Sequence, residues 1–497
     1  MLGFFSKKHD HPLATPEEAK EIIAGLPALK PEAAVDEAST WLESLSGLDD
    51  FPAQLRYQRV VEFDVATILN ARRLARDFYA GPRGSRFEEQ KRWQRNQSYW
   101  AHLAIAYARC LTDIDNHAKG SSALKSDIGL LTARLLHALA GRLRWTRLRY
   151  GSVDGKQWQE LGTLYMRAVR QGLVDTKVNL YGNEESITTP GIEYFKVLLF
   201  HASSIDNLTL QEVGITERLI AHFLPHFVFS VRPTPECSYW IDALQAEPPC
   251  RLVKPPQATE SLRLFGAGQV LKAISQLQSH IRNTRAVPTG INLGGQYPPE
   301  VVLPVLDHLA VCWSPTPPTR KHARHRIATR VDITHGLPAI HWLLSSGGNS
   351  FGEIESWQVD DISQGGMSAK LPLLSNDWAR VAAIVAMRPE TNPAWQVGAV
   401  RRFVRESESQ GSAGIQALSK APLALVAAAG AFQTDIILLD PLQPDGSVRV
   451  LLSPNSWELG VPMRITVDSR HWRLHPEERL EIETDWMMGR CVVEALQ

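Results

Sequence analysis

The sequence predicts a multidomain α+β protein. It has a helical N-terminal half, a mixed α/β middle and a C-terminal antiparallel β-barrel, with additional strands beyond the barrel. Three observations carry this prediction. Apolar residues recur at helical spacing before residue 225. Short apolar runs separated by Gly, Pro, Asn and Ser clusters dominate after residue 320. The proline-rich stretch Ser314-Pro-Thr-Pro-Pro-Thr319 lies where the two textures meet.

The helical half, residues 1–225, opens with Thr15-Pro16-Glu17-Glu18, a capping-box pattern with proline at the first helical position. Ser85-Arg-Phe-Glu88 and Thr209-Leu-Gln-Glu212 are two further starts. Helical periodicity shows in Val65, Ile68, Leu69 and Leu74, and again in Trp100, Leu103, Ala104, Tyr107 and Leu111. The basic stretch Arg142-Leu-Arg-Trp-Thr-Arg-Leu-Arg149 is expected to be a solvated helix face. Trp158-Gln-Glu-Leu161-Gly162-Thr-Leu-Tyr165 fits a plain packed helix.

Residues 226–313 form the predicted connecting domain. Phe227–Val231 and Leu262–Phe265 are expected strands, followed by helices near 267–282 and 299–312. Phe265-Gly266-Ala-Gly268 fits a turn, because the third glycine of a dinucleotide fingerprint is replaced by Leu271. The barrel is placed at residues 314–424, with Val331–Thr334, Ile340–Leu344, Val381–Met387 and Trp395–Val400 as strands. Residues 425–497 carry more strand pattern than one small barrel needs. They imply a second barrel or a covering sheet.

Composition limits function. Lys plus Arg equals Asp plus Glu at 53 each, which argues against bulk binding of nucleic acid. The five cysteines are scattered and never form C-x-x-C, so neither a disulfide framework nor a zinc site is expected. His9-Asp-His11 lies in a terminal tail and is not taken as a metal site. No run of apolar residues is long enough to span a membrane, and the cysteine usage fits the cytoplasm. Gly348-Asn-Ser350-Phe-Gly352 spells G-x-S-x-G, but no helical pattern follows it, so it reads as a loop. No catalytic residue and no cofactor is assigned.

Two motifs carry ligand chemistry. Arg320-Lys-His-Ala-Arg324-His-Arg326-Ile-Ala-Thr-Arg330 holds five Lys or Arg and no acid, which calls for an anionic partner. It offers two R-x-x-x-R registers, Arg320/Arg324 and Arg326/Arg330. Asp361-Ile-Ser363-Gln-Gly365-Gly366 offers a carboxylate, a hydroxyl and a two-glycine turn. R-x-x-x-R alone has little specificity: Arg72/Arg76 satisfies it inside a predicted helix.

The order of the two motifs, with Trp395–Phe403 and Ala413–Gln416 as closing strands, resembles the PilZ family. The resemblance covers roughly residues 316–420. It implies an antiparallel β-barrel that binds cyclic di-GMP through Arg326, Arg330, Asp361, Ser363 and Gly366, with Arg324 and Gly365 assisting. Arg326/Arg330 is the favoured register because a strand begins at Val331, as in the family. The expected protein is a non-enzymatic cyclic di-GMP effector in which the ligand orders the charged segment and a helical region binds a protein partner. The alternative is an adaptor whose barrel is degenerate and ligand-free.

Overall fold

The structure, a computed structural model, describes residues 11–80, 86–316, 323–347, 353–373, 378–390, 392–430 and 432–496. Two compact units result. One comprises Met1–Ile205 and Leu210–Pro318, the other Asp206–Thr209 and Thr319–Gln497.

The first unit begins with eight helices: α1 (Pro16–Gly25), α2 (Pro31–Gly47), α3 (Ala53–Ala80), α4 (Arg86–Asp115), α5 (Ile128–Leu148), α6 (Gly155–Arg170), α7 (Pro190–Ala202) and α8 (Leu210–Phe223). A short ribbon, β1 (Val178–Asn179) with β2 (Ile187–Thr188), interrupts them. Prolines at the starts of α1, α2 and α7 fix φ where no backbone N–H is needed. Thr189 caps α7 by accepting from the Ile192 N–H at 3.1 Å. The expected cap at Thr15 does not form. Its side chain makes no capping bond, and Pro16 with Glu17 and Glu18 in the first turn starts α1 instead. Of the other expected starts, α8 begins directly after Thr209, whereas Ser85 lies outside the described residues.

Buried charges lock these helices together. Arg134 of α5 donates to Asp64 of α3 at 2.7 Å, and Tyr107 of α4 donates to the same oxygen at 2.7 Å. Tyr181, beside the ribbon, reaches the other oxygen at 3.2 Å. The expected solvated face over Arg142–Arg149 is corrected. Leu143, Trp145 and Leu148 are buried, and the arginines between them are half-buried and partnered. Arg142 pairs with Glu160, Arg144 with Glu217, and Arg149 lies over the Trp93 ring. Long stems packed on apolar surface, with paired heads, replace free solvation.

Strands β3 (Val228–Ser230), β4 (Cys237–Asp242), β5 (Cys250–Arg251) and β6 (Leu262–Gly266) form an antiparallel sheet in the order β3-β6-β4-β5. Helices α9 (Val270–Thr284) and α10 (Pro299–Trp313) follow. Gly162 of α6 allows close packing here, since a Cβ would lie 1.7 Å from the Ala243 carbonyl oxygen. Of the expected turn over Phe265–Gly268, Phe265 and Gly266 end β6 instead, and the chain turns at Ala267–Gln269, with Gly268 at φ +48° leading into α9.

The second unit holds two closed six-stranded barrels. The first uses β7 (His325–His335), β8 (Glu355–Ser363), β9 (Gly366–Pro372), β10 (Ile384–Pro389), β11 (Gln396–Arg405) and β12 (Gln410–Ser419). The second uses β13 (Leu423–Ala429), β14 (Phe432–Leu438), β15 (Ser447–Leu452), β16 (Met463–Val467), β17 (Arg470–Ile482) and β18 (Met487–Leu496). Between β7 and β8 the chain forms α11 (Leu337–Ser345), where a strand over Ile340–Leu344 was expected. Gly336 at φ +84° turns the chain, and Pro338 sits in the first helical turn, where it sacrifices no hydrogen bond. Leu337, Ile340 and Leu343 then fall three apart and are buried, while Trp342 is exposed. An apolar run this short does not distinguish helix from strand.

α11 and both barrels share one apolar layer. Ile384, Ala386, Val397 and Ala399 of the first barrel join Ile437, Leu451 and Met488 of the second. Their chain neighbours point into the barrels instead: Ile436, Leu438, Val450, Leu452 and Met487 fill the second. These strands are therefore buried on both faces. Trp486 closes the layer, its indole N–H donating to the Ala382 carbonyl at 2.8 Å.

One charge cluster in the helical unit gives a pH prediction. Glu193 accepts from Thr188 and Lys196, each at 2.7 Å, and lies 2.8 Å from His137 Nδ1. Burial alone would raise this carboxyl, but Lys196 and His137 overcome burial and hold it well below the usual carboxylate range. A depressed carboxyl stabilises the fold above its unfolded pKa of about 4.3, and that contribution is lost as pH falls through the folded value. Glu193→Gln should cost about 2 kcal/mol at pH 7, with the difference from wild type shrinking below about pH 4. Thermal melts followed by helical circular dichroism at the two pH values check this. An equal difference at both contradicts the assignment.

Candidate functional site: an arginine-rich corner of the first barrel

The site lies where β7, β8 and β9 meet. β7 and β8 run antiparallel, with Arg326 opposite Asp361 and Arg330 opposite Gln358. The ladder is irregular between Arg326 and Thr329, so β7 spends three steps where β8 spends two. A second irregularity falls between Val359 and Asp361 against β9. The bulges decide where Asp361 points. Val359 is buried in the barrel, and by strict alternation Asp361 would share its inner face. Instead Asp361 stands opposite Ser368, whose neighbours Met367 and Ala369 are the buried ones. The extra residue thus turns the carboxylate to the outer face, where Arg326 and Arg330 also lie.

On that face Arg324 Nη1 donates to Asp361 Oδ2 at 3.2 Å. Asp361 Oδ1 lies 3.2 Å from the same nitrogen, but it is buried and has no hydrogen-bond partner among the described residues. Arg326 has no ion-pair or hydrogen-bond partner among the described residues. Arg330 is occupied, its Nε and Nη2 donating to the Ser356 hydroxyl and carbonyl, each at 2.8 Å. The structure therefore brings Arg324, Arg326 and Asp361 together and ties Arg330 to Ser356 further along the same strand pair. Residues 325–330 already form β7 here, although the sequence led us to expect a segment that only a ligand orders. Arg320 of the rival register lies outside the described residues, as do Gly348–Gly352.

Ser363 and the glycines shape the hairpin. The loop is Gln364-Gly365, with Ser363 paired to Gly366 across it. The Ser363 hydroxyl donates to the Gly366 carbonyl at 3.1 Å. Gly365 accepts from the Ala417 N–H at 3.0 Å. Gly366 has φ +152°, and a Cβ there would lie 2.0 Å from the Ile415 carbonyl oxygen. The second glycine of the motif thus has a packing reason: β12 passes too close for any side chain.

Two further residues share the face. Ser368 and Lys370 of β9 stand opposite Asp361 and Gln358, which extends the polar rows beyond the two motifs. Alternation in Gly366-Met-Ser-Ala-Lys-Leu gives both away, because Met367, Ala369 and Leu371 are buried between them. The second barrel repeats neither R-x-x-x-R nor D-x-S-x-x-G. Among the described residues no group of His, Cys, Asp and Glu is placed to hold a metal, and no helix is long and apolar enough to cross a membrane. All five cysteines are free thiols.

Comparison with known proteins adds a finding from the other unit. Residues 17–235 match the family model described as "Cyclic-di-GMP receptor FimW, N-terminal domain". The match runs from within α1 to the turn before β4, whereas the PilZ-like motifs lie beyond residue 320. No curated protein matches the chain.

Gly366→Ala should destabilise the first barrel by about 1–3 kcal/mol, because strand β12 must move to admit a methyl group. A lowered melting temperature of the full chain checks this. An unchanged one contradicts the close approach of β12.

Proposed function

We propose that this protein is a cyclic di-GMP receptor whose ligand site is the outer face of β7, β8 and β9. The observation that carries this reading is the arrangement of Arg324 and Arg326 at Asp361, with Arg330 further along the same outer face and one carboxylate oxygen of Asp361 buried and lacking a hydrogen-bond partner among the described residues. Support comes from two parts of the chain. The barrel motifs resemble those of the PilZ family, and residues 17–235 match a family described as cyclic-di-GMP receptors.

The chemistry fits the groups present. Guanidinium forks pair with phosphate oxygens and with guanine O6 and N7. A carboxylate accepts from the Watson–Crick edge of guanine, and the Ser363 hydroxyl adds a neutral contact. Binding requires Arg324 to leave Asp361 and Arg330 to leave Ser356. The Arg324–Asp361 pair is half-exposed, and such ion pairs contribute about 0–1 kcal/mol, while the exposed Arg330 gives up only neutral acceptors on Ser356. A charged hydrogen bond to phosphate contributes about 1.5–3 kcal/mol, so the exchange favours the ligand. Arg326 has nothing to give up and is the first contact. In this reading the protein acts by binding rather than by catalysis, and the helical unit offers the surface for a protein partner.

Calorimetric titration of the full chain with cyclic di-GMP tests the reading. Arg326→Ala and Asp361→Ala should each weaken the barrel component at least about tenfold, and Arg326→Ala/Arg330→Ala should abolish it. Isotherms unchanged by these variants would overturn the assignment. A flat wild-type titration would leave the barrel as scaffold, the role in which Arg324–Asp361 and Arg330–Ser356 are permanent contacts.

A further inference from the structure

The helical unit contains a cavity of about 510 Å³, set among α3, α5, α7 and α8. Its size lies within the roughly 300–1,000 Å³ typical of small-molecule sites. Six arginine or lysine side chains line it, against three glutamates. That is a local excess of cations in a chain whose formal net charge is zero.

Two of the three glutamates are already engaged. Glu193 is held by Lys196 and His137. Glu217 accepts from Arg144 at 3.3 Å and from the Tyr79 hydroxyl at 3.0 Å. Uncompensated charge lies on α3, at Arg72 and Arg76. Arg72 and Arg76 sit four residues apart and so share a helix face. Arg72 stacks over the Tyr181 ring at 5.1 Å and has no ion pair among the described residues. Among the described residues Arg76 pairs with its chain neighbour Asp77, at 3.9 Å.

The walls are aromatic. The Trp100 ring lies against α5 at Gly141, where a Cβ would fall 2.3 Å away, and the Tyr79 ring lies against α8 at Gly214, at 3.1 Å. Arg144 sits over the Trp100 ring at 5.4 Å, and its Nε is buried with no hydrogen-bond partner among the described residues. A donor left over at the wall, cations on α3, and the flat rings of Tyr79 on the same helix and Trp100 on α4 make up a consistent set of groups. They match an anionic head with a planar body.

We infer that this cavity is a second ligand site, distinct from the barrel, that binds a small organic phosphate with a planar ring, of the nucleotide class. Arg72 and Arg76 take the phosphate, and the ring lies against Trp100 and Tyr79. The site stands whether or not the barrel binds cyclic di-GMP.

The test uses the full chain carrying Arg326→Ala/Arg330→Ala, so that the barrel is silent. GMP, ATP, cyclic di-GMP and inorganic phosphate are titrated separately. Saturable binding of at least one nucleotide is expected, tighter than that of phosphate. Adding Arg72→Glu/Arg76→Glu should weaken it at least about tenfold. Both positions are exposed, so an unchanged thermal melt shows that the fold is retained. Cyclic di-GMP binding that is lost on this charge reversal would identify the dinucleotide as the occupant. The inference is overturned if no nucleotide binds up to about 1 mM, if charge reversal changes nothing, or if phosphate binds as tightly as the nucleotides.

Discussion

The second unit depends on strands that are apolar on both faces. In a single barrel standing in water, Ile384, Ala386, Ile437, Leu451 and Met488 would be exposed. Here they meet across α11 in one layer. A continuous apolar run therefore marks a strand with a core on each side, and it explains why residues beyond the first barrel fold as a second one. The layer also decides which face of the first barrel is left for a ligand. β10 and β11 are committed to packing, whereas β7, β8 and β9 carry Arg326, Arg330, Asp361, Ser368 and Lys370 outward. Position and polarity of the site both follow from where the second barrel packs.

Local patterns made much of this legible. Helical spacing before residue 225 and short apolar runs between turn residues after residue 320 led to the right classes of element, Ile340–Leu344 apart. The D-x-S-x-x-G motif marked the hairpin that the structure forms. The failures have identifiable causes. Ile340–Leu344 is too short for its period to separate helix from strand, and the decision rests with Gly336 and Pro338 just before it. Arg142–Arg149 looks solvated because charge density is visible in a sequence while partners such as Glu160 and Glu217 are not. Asp361 is the clearest case. Strict alternation would send it inward, and only the bulge, a property of strand pairing, turns it out.

Energetics explains why the contacts at this corner can be made and still be exchangeable. Asp361 offsets the Arg324 charge and Ser356 orients Arg330, neither holding its arginine tightly, because solvent screens contacts at this exposure. Gly366 and the Ser363–Gly366 contact are different in kind: steric fit against β12 fixes them. The corner thus pairs a rigid hairpin with exchangeable arginines. That division suits recognition of a small anion, since the rigid part sets geometry and the exchangeable part supplies charge.

The chain uses the R-x-x-x-R spacing in two secondary structures, and the spacing means something different in each. On a helix, residues four apart lie about 6 Å apart on one face, so Arg72 and Arg76 converge on a single group the size of a phosphate. On a strand, four residues span about 13 Å, so Arg326 and Arg330 reach two separated points along the barrel wall. A ligand whose two phosphates lie apart in a ring suits the strand pair, and a single phosphate head suits the helix pair. The motif by itself cannot carry function, because its geometry is set by the backbone beneath it. Only after Arg72 and Arg76 are placed on α3, and Arg326 and Arg330 on β7, does the same motif describe two different geometries.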